Sequence, residues 1–248
     1  MAENFIVAKT VEEALATGSS SFAFLSGGTE INRFGSPVDA ETLVCIKKLK
    51  ELEGISVING TGDYAEEKFV RLGANTTFQQ AIDSEIVPEY FRTACRFMSS
   101  RTKRNMATLA GNVAAFRDDS YLWAMLLASG AIFEIEDSDN GRCGVTALEY
   151  AENFSNYGKD LIIALLIPGD AVVAQKRYAN TAASHAVLTI AVSRSCIAVA
   201  VKDTGIFIMK KASEISKVEF KDDMFGSAAY KRYLFDVTVP ELQKEVVK

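Results

Sequence analysis

Two adjacent glycines interrupt an apolar segment near the start of the chain, and polar residues follow them. Without Cβ atoms the backbone can adopt positive φ, and its N–H groups can approach a ligand closely. Successive N–H groups in such a turn bind a phosphate without a cationic side chain. Most glycine pairs form only tight turns, so the pair alone is a weak indication. The candidate phosphate-binding residues are Leu25, Ser26, Gly27, Gly28, Thr29, Glu30 and Ile31.

A second stretch, residues 99–115, places small residues after a basic group. Small residues again allow close approach, and the side chains of Thr108 and Asn112 can donate hydrogen bonds to a phosphate or ribose oxygen. The alternative interpretation is a buried loop with a solvated basic face. The candidate binding residues in this stretch are Thr108, Ala110, Gly111 and Asn112.

Two aspartates, Asp118 and Asp119, come just before an apolar helix predicted over residues 121–129. An aspartate at this position commonly caps the helix N-terminus. The functional alternative is a hydrogen bond from a ribose hydroxyl to one of these carboxylates.

Composition indicates a soluble globular protein that does not bind nucleic acid. The 248 residues carry a formal net charge of −5, and no basic run contains interleaved aromatic residues. The longest nearly uncharged stretch, residues 122–133, is too short to span a bilayer, and no signal peptide is evident. Four scattered cysteines favour a reduced, cytosolic protein without an iron–sulfur or zinc site. They are Cys45, Cys95, Cys143 and Cys196.

His185 is the sole histidine. A histidine general base usually comes with a partner that orients it, and the sequence shows none beside this residue. A structural role is therefore favoured over a catalytic one. The sequence therefore shows no set of side chains that could catalyse a reaction without a cofactor.

The order of predicted elements indicates an α+β fold in three parts. Residues 1–54 alternate as β-α-β, which favours a small mixed or parallel sheet. Residues 55–168 begin with a hairpin and end with a buried strand before Pro168-Gly169. Residues 169–248 contain four predicted strands, then helices over 227–235 and 239–247. This last order favours an antiparallel sheet covered on one face.

Four motifs in this order resemble the PCMH-type FAD-binding domain, the flavin module of molybdenum hydroxylases such as xanthine dehydrogenase and carbon monoxide dehydrogenase. The family carries A-G-G-T-[DE]-L-like, L-G-A-x-T-T, R-N-x-A-T-[IL]-G-G-N-like and S-A-x-Y-R-x-x-L motifs. The matching segments here cover nearly the whole chain. They are residues 26–31 (SGGTEI), 72–77 (LGANTT), 104–112 (RNMATLAGN) and 227–234 (SAAYKRYL).

The resemblance implies a two-lobed FAD-binding domain followed by a small α+β C-terminal domain, with FAD as cofactor. Its pyrophosphate would lie between the lobes, held by backbone N–H groups of both glycine-bearing loops. The chain would be the medium subunit of a heteromeric complex with a [2Fe–2S] small subunit and a molybdopterin large subunit. Electrons would pass through FAD to NAD or another acceptor. The alternatives are a scaffold subunit of the same fold that has lost FAD, and a free-standing flavin oxidoreductase.

Two positions depart from the family pattern, and the basic residue that many relatives place near the flavin ring has no clear counterpart. Ala110 replaces a frequent glycine, which is tolerable where φ stays negative. Tyr121 stands where relatives have an aspartate that reaches the AMP part of FAD, so Asp118, Asp119 and Tyr121 all remain candidates for that contact. Lys176 and Arg177 are the candidates for a basic residue near the flavin ring.

Valine at Gly27 or Gly111 is expected to abolish flavin retention and to leave the fold largely intact.

Overall fold

The computed structural model describes residues 2–16, 21–33 and 35–247, and it begins with a small parallel sheet. Strands β1 (Asn4–Val7) and β2 (Phe22–Leu25) both pair in parallel with the central β3 (Thr42–Cys45). Helix α1 (Val11–Leu15) connects the first two strands, and the side chain of Thr10 caps it by accepting from the amide of Glu13. The predicted β-α-β unit with a parallel sheet is confirmed.

A five-stranded antiparallel sheet follows, in the order β4-β5-β8-β6-β7. The sequence also predicts a turn over residues 137–142 and a helix cap at Thr146, and both are present, but the strand β7 (Gly141–Thr146) between them was not predicted. Two glycines make β7 a weak strand, and it forms as an edge strand along the exposed ladder of β6. The strands are β4 (Ile55–Asn59), β5 (Lys68–Gly73), β6 (Ile132–Asp137), β7 (Gly141–Thr146) and β8 (Leu161–Pro168).

Seven short helices belong to this second part. The sequence interpreted residues 99–115 as a loop, whereas the structure forms two helices there, capped by Ser100 and Thr108. The apolar helix α6 begins later than predicted. The helices are α2 (Phe78–Asp83), α3 (Glu89–Arg96), α4 (Arg101–Met106), α5 (Leu109–Ala114), α6 (Trp123–Ser129), α7 (Ala147–Glu152) and α8 (Phe154–Tyr157).

The four predicted C-terminal strands form an antiparallel sheet, in the order β12-β11-β10-β9. One face, including Ile190 and Val199, packs in an apolar core with the C-terminal helix. The other face carries alanines such as Ala198 and Ala200 and packs on α6. Helices therefore cover both faces, not the one face expected. The strands are β9 (Ala174–Tyr178), β10 (Leu188–Val192), β11 (Ile197–Val201) and β12 (Gly205–Met209).

The chain ends in one helix, α9 (Ala228–Val247), where the sequence predicted two. Pro240 lies inside it and removes one helical hydrogen bond to the carbonyl of Asp236. Asp236 is exposed, so water can bond that carbonyl. Phe235, Val239 and Leu242 are buried at helical spacing on both sides of the proline. Packing of this continuous apolar face outweighs the local effect of proline.

Lys231 on α9 is 1% exposed, although it is charged. Its ammonium group donates to the carboxylate of Asp223 at 2.6 Å and to the carbonyl of Lys221 at 2.8 Å. These bonds attach the turn before α9 to the helix. Lys231 occupies the basic position of the C-terminal motif, and in this chain that position is structural.

Candidate functional site

The first glycine-bearing loop follows β2 directly and turns back on itself. Gly28 has a φ of +68°, a conformation that side chains disfavour. Its carbonyl accepts hydrogen bonds from both the backbone amide and the side-chain amide of Asn32, at 3.0 and 2.9 Å. These two hydrogen bonds close a turn over residues 28–32 and fix the direction of its backbone amides.

Five successive amides of this loop, residues 27–31, donate to no protein acceptor within the part of the chain that the structure describes. Backbone N–H groups without a protein acceptor require a ligand or water. A run of them is suited to oxygen atoms of an anion. The cradle fits a phosphate group, and it requires no basic side chain at the phosphate itself.

The two glycine-bearing loops lie in direct contact. A Cβ atom at Gly27 would lie 2.0 Å from the carbonyl oxygen of Met106 and 3.2 Å from the amide of Thr108. Only glycine fits at this approach. The expectation that valine at Gly27 would leave the fold largely intact is therefore wrong, because the collision is with backbone atoms.

Thr108 organises the second loop as the N-cap of α5. Its hydroxyl accepts from the amide of Gly111 at 3.3 Å, and its carbonyl accepts from the amide of Asn112 at 3.1 Å. Of the three amides in this loop that were expected to bind a phosphate, those of Gly111 and Asn112 thus already have acceptors, whereas that of Thr108 has none among the described residues. A Cβ atom at Gly111 would lie 2.8 Å from the Thr108 hydroxyl, so valine there would disrupt the cap and not only the ligand site.

Ala110, the first departure from the family pattern, is accommodated. It lies in α5, is buried, and is not among the described residues with positive φ. The condition under which alanine is tolerable is therefore met. Asn112, on the same helix, accepts from the Ser120 hydroxyl at 2.8 Å through its side-chain oxygen. Its side-chain NH₂ group faces no acceptor in the described part of the chain.

Asn75 joins the first loop to the end of the parallel sheet, and the sequence did not single it out. Its side-chain oxygen accepts from the Ser26 hydroxyl at 2.7 Å, and its NH₂ group donates to the carbonyl of Ile46 at 2.9 Å. It lies in the L-G-A-x-T-T motif at the position that the pattern leaves open. The polar type of that residue was the available signal.

Replacing Asn75 with alanine is expected to destabilise the chain by about 2 kcal/mol, because the Ser26 hydroxyl and the Ile46 carbonyl lose their partner. Urea unfolding measures this change. Asn153→Ala is the control, because the side chain of Asn153 makes only an exposed bond to the carbonyl of Glu149. Equal losses in the two variants would show that Asn75 is not an organising residue.

Arg117 connects the first loop to the segment before α6. Its guanidinium binds both oxygens of Asp119, at 2.7 and 2.6 Å, and lies 3.3 Å from the carboxylate of Glu30. Glu30 is also paired with Arg33 at 2.7 Å. Neither aspartate caps α6, contrary to the capping interpretation. The hydroxyl of Ser120 accepts from the amide of Leu122 instead.

His185 lies with Asp119, with 3.4 Å between its Nδ1 atom and the carboxylate. The partner that the sequence did not reveal therefore exists, and it comes from the segment before α6. Burial lowers the pKa of His185, although the Asp119 carboxylate partly offsets this effect. Burial alone would raise the pKa of Asp119, but the two bonds from Arg117 bring it below its usual value.

The Asp119 pair predicts an acid-sensitive contribution to stability. Because its folded pKa is lowered, Asp119 stabilises the protein at pH values above its unfolded pKa. That contribution is lost as the pH falls through the folded value. Asp119→Asn should cost about 2 kcal/mol at neutral pH, and the difference from wild type should shrink below about pH 4. Denaturant midpoints across this pH range test it, and a difference constant with pH would contradict it.

Tyr121 is buried, and its ring stacks on His185 with centroids 6.0 Å apart. The guanidinium of Arg177 lies 5.7 Å from the centre of the same tyrosine ring. Lys176 points to the opposite face of its strand and pairs with Glu241 on α9 at 3.2 Å. Of the two candidate basic residues, the structure places Arg177 on the side of the two loops.

Asp118 faces a cleft of about 440 Å³ beside Arg117. Burial raises the pKa of Asp118, and the neighbouring Asp119 and Asp203 add to the effect. The cleft is lined by Phe116, Arg117, Asp118, Asp203, Gly205 and Ile206. An acidic side chain in an open cleft can accept hydrogen bonds from sugar hydroxyls.

Metal ligands are not assembled in the described part of the chain. No group of three or more histidine, cysteine or acidic side chains has a suitable arrangement, and the four cysteines are unpaired. In the same residues, no helix is long and apolar enough to cross a membrane.

Residues 1–170 match the family model for the FAD-binding domain in molybdopterin dehydrogenase. This match covers more than half of the chain, which therefore belongs to that family. The chain is a flavin-dependent oxidoreductase subunit with FAD as its cofactor, and the resemblance noted in the sequence is confirmed.

Relatives and solved structures agree along the whole chain. The uncharacterized protein YgfM of Escherichia coli K12 is 25% identical and aligns with 98% of this chain and 95% of its own. Quinoline 2-oxidoreductase from Pseudomonas putida 86 superposes with a TM-score of 0.81 at 16% identity, over 100% of this chain and 96% of its own. A carbon monoxide dehydrogenase from Hydrogenophaga pseudoflava that lacks the Mo-pyranopterin moiety superposes with a TM-score of 0.79 at 19% identity. The superposition covers 99% of this chain and 97% of the dehydrogenase chain. At these identities the solved structures establish the fold.

Proposed function

We propose that the chain binds FAD with the pyrophosphate at the amides of residues 27–31, between the two lobes formed by residues 1–54 and 55–168. The run of five amides without a protein acceptor carries this assignment. Leu25 and Ser26 precede the cradle, and Ser26 holds it to Asn75. The second loop supports the first at Thr108, and its backbone packs closely against Gly27. It also presents the side-chain NH₂ group of Asn112.

Asp118 is proposed to bind a ribose hydroxyl of the cofactor. Both oxygens of Asp119 accept from Arg117, and that side chain is only 3% exposed. Tyr121 is buried beneath His185 and Arg177. Asp118 is the candidate whose carboxylate lines a cleft.

Bound flavin supplies the capacity to accept and release electrons, and the protein supplies position and electrostatics. Arg177, half-buried beside Tyr121 without a carboxylate partner in the described part of the chain, is proposed as the basic residue on the flavin side of the site. It also donates to loop carbonyls of Thr181 and Ser184, which keeps the guanidinium in place.

The complex we propose is a cytoplasmic molybdenum hydroxylase in which this chain, including its C-terminal part (residues 169–248), is the flavin subunit. Electrons would arrive from a [2Fe–2S] small subunit and leave through FAD to NAD or another acceptor. A molybdopterin large subunit would oxidise the substrate, since the described residues contain no metal-ligand group. The carbon monoxide dehydrogenases among the structural neighbours, described as molybdenum enzymes, support this assignment.

A scaffold subunit without FAD, the alternative weighed from the sequence, is disfavoured by the match to an FAD-binding family. The observation that favours it is the internal bonding of the Gly111 and Asn112 amides, which removes two expected phosphate donors. The free amides of the first loop favour the flavin subunit.

Purification of the tagged chain from its native host tests the function. We expect two further chains to co-purify, together with iron, molybdenum and about one FAD per copy of this chain. A complex that contains iron and molybdenum but no flavin would establish the scaffold. The tagged chain purified alone, without metals, would contradict the proposed complex.

A further inference from the structure

Glu30 presents an electrostatic difficulty for the amide cradle, because its carboxylate belongs to the loop that is proposed to bind a pyrophosphate. Like charges at close range repel strongly where solvent is partly excluded. The Glu30 side chain is 24% exposed, so solvent screens it only in part. A compensating cation is therefore required beside this loop.

Two arginines supply that compensation from different directions. Arg33 pairs with Glu30 locally, three residues along the chain, at 2.7 Å. Arg117 approaches from the other loop region and lies 3.3 Å from the same carboxylate oxygen. Arg117 also has a buried anchor, the bidentate pair with Asp119. Bidentate arginine–carboxylate pairs fix the guanidinium plane as well as the charge.

We propose that Arg117 is a positioning residue for phosphate binding: held by buried Asp119, it neutralises Glu30 and fixes the first loop with its free amides directed at an anion. This inference rests on the proposed binding of FAD at that loop. Arg117 acts through Glu30, and it need not touch the cofactor.

The contact joins Glu30, in the first motif, to a basic residue outside the four motifs. Arg117 and Asp119 lie between the second loop motif and α6. His185, which contacts Asp119 from the β9–β10 connection, adds a third segment to the same network. The first loop, the α5–α6 connection and the C-terminal part are thus joined by one chain of ionisable groups.

Arg117→Gln is expected to weaken FAD binding about tenfold or more, because one charge-assisted contact is lost. Riboflavin, which has no phosphate, should bind within about twofold of its wild-type affinity. Adding Glu30→Gln to the Arg117 variant removes the loop carboxylate that Arg33 alone neutralises in the single variant. We expect this double variant to recover most of the FAD affinity.

The control variant is Arg71→Gln. Arg71 pairs with Glu134 at 2.9 Å on the five-stranded sheet, and the two side chains are 21% and 24% exposed, close to the 23% and 24% of Arg117 and Glu30. It should leave FAD binding unchanged. If circular dichroism shows that Arg117→Gln is unfolded, Arg117→Lys is used in its place. Lysine keeps the charge but not the bidentate pair, and about threefold weaker FAD binding is expected.

Inorganic pyrophosphate provides a readout that does not require flavin, followed through the NMR shifts of the amides of residues 27–31. The inference is overturned if Arg117→Gln binds FAD as wild type does, if Glu30→Gln fails to rescue it, or if riboflavin weakens by the same factor. If wild type binds no FAD but its loop responds to pyrophosphate and loses that response in Arg117→Gln, the proposed cofactor site fails and this inference stands. A wild-type loop that responds to neither ligand overturns it.

Discussion

Gly27→Ala should abolish FAD retention and destabilise the protein by about 3 kcal/mol. The added Cβ atom would lie 2.0 Å from the Met106 carbonyl oxygen, so backbone must move on one side of the loop contact. Movement of the first loop displaces the five free amides. Movement of Met106 disturbs the cap that Thr108 forms for α5.

Gly144→Ala is the matched control for this prediction. Gly144 lies in β7, does not have positive φ, and a Cβ atom there would lie 3.5 Å from the Ile132 side chain, an ordinary contact. It should retain FAD and change stability by less than about 1 kcal/mol. Flavin absorbance of the purified variants and their urea unfolding curves measure both effects. FAD retained by Gly27→Ala at the wild-type level would contradict the arrangement of the two loops.

Lys231→Met is expected to destabilise the protein by about 3 kcal/mol, because Asp223 loses its ammonium partner and the Lys221 carbonyl its donor. Breaking a buried ion pair by removing one member is costly, since the other charge stays desolvated. The turn before α9 should then detach from the helix. FAD affinity should change little, because the pair lies outside the two loops.

Two further variants isolate the ion pair. Replacing Asp223 and Lys231 together by apolar residues should cost less than Lys231→Met alone, since no uncompensated charge remains. Lys217→Met removes an exposed pair with Glu214 and should cost less than about 1 kcal/mol. Thermal unfolding of the three proteins ranks these losses. A double variant as unstable as the single one would show that packing, and not charge, dominates at Lys231.

Local patterns allowed the fold and the first loop to be predicted. The glycine pair after an apolar strand, the β-α-β spacing and the alternating C-terminal strands each depend on short-range chemistry that a sequence displays directly. The errors occurred where distant contacts decided the outcome. Proline suggested a break in α9, but the buried face of the helix continues through Pro240. The turn after β6 was predicted, but not the strand β7 that follows it, because β7 depends on pairing with the edge of β6.

The charged network of the site could not be predicted for the same reason. Arg117 and Asp119 are two residues apart, yet their role depends on Glu30 and His185, which come from far along the chain. His185 had no partner in its own neighbourhood. Asn75 occupies a variable motif position, and its two contacts join segments that only the fold brings together.

The structure thus gives the two glycines of the first loop separate roles, which their sequence alone did not indicate. Gly27 allows the backbone contact with the second loop, and Gly28 provides the turn that directs the amides. We propose that the amides of residues 27–31 themselves bind the phosphate. The second loop serves mainly as their support, because its own Gly111 and Asn112 amides are bonded internally.

Titration of the purified chain with FAD, followed by backbone amide NMR, tests the central claim most directly. We predict about one FAD bound per chain, the two visible absorption bands of protein-bound oxidised flavin, and the largest shifts at the amides of residues 27–31. Binding of FAD with those five amides unshifted would contradict the assignment of the phosphate cradle. Absence of binding in the folded chain would contradict the account as a whole.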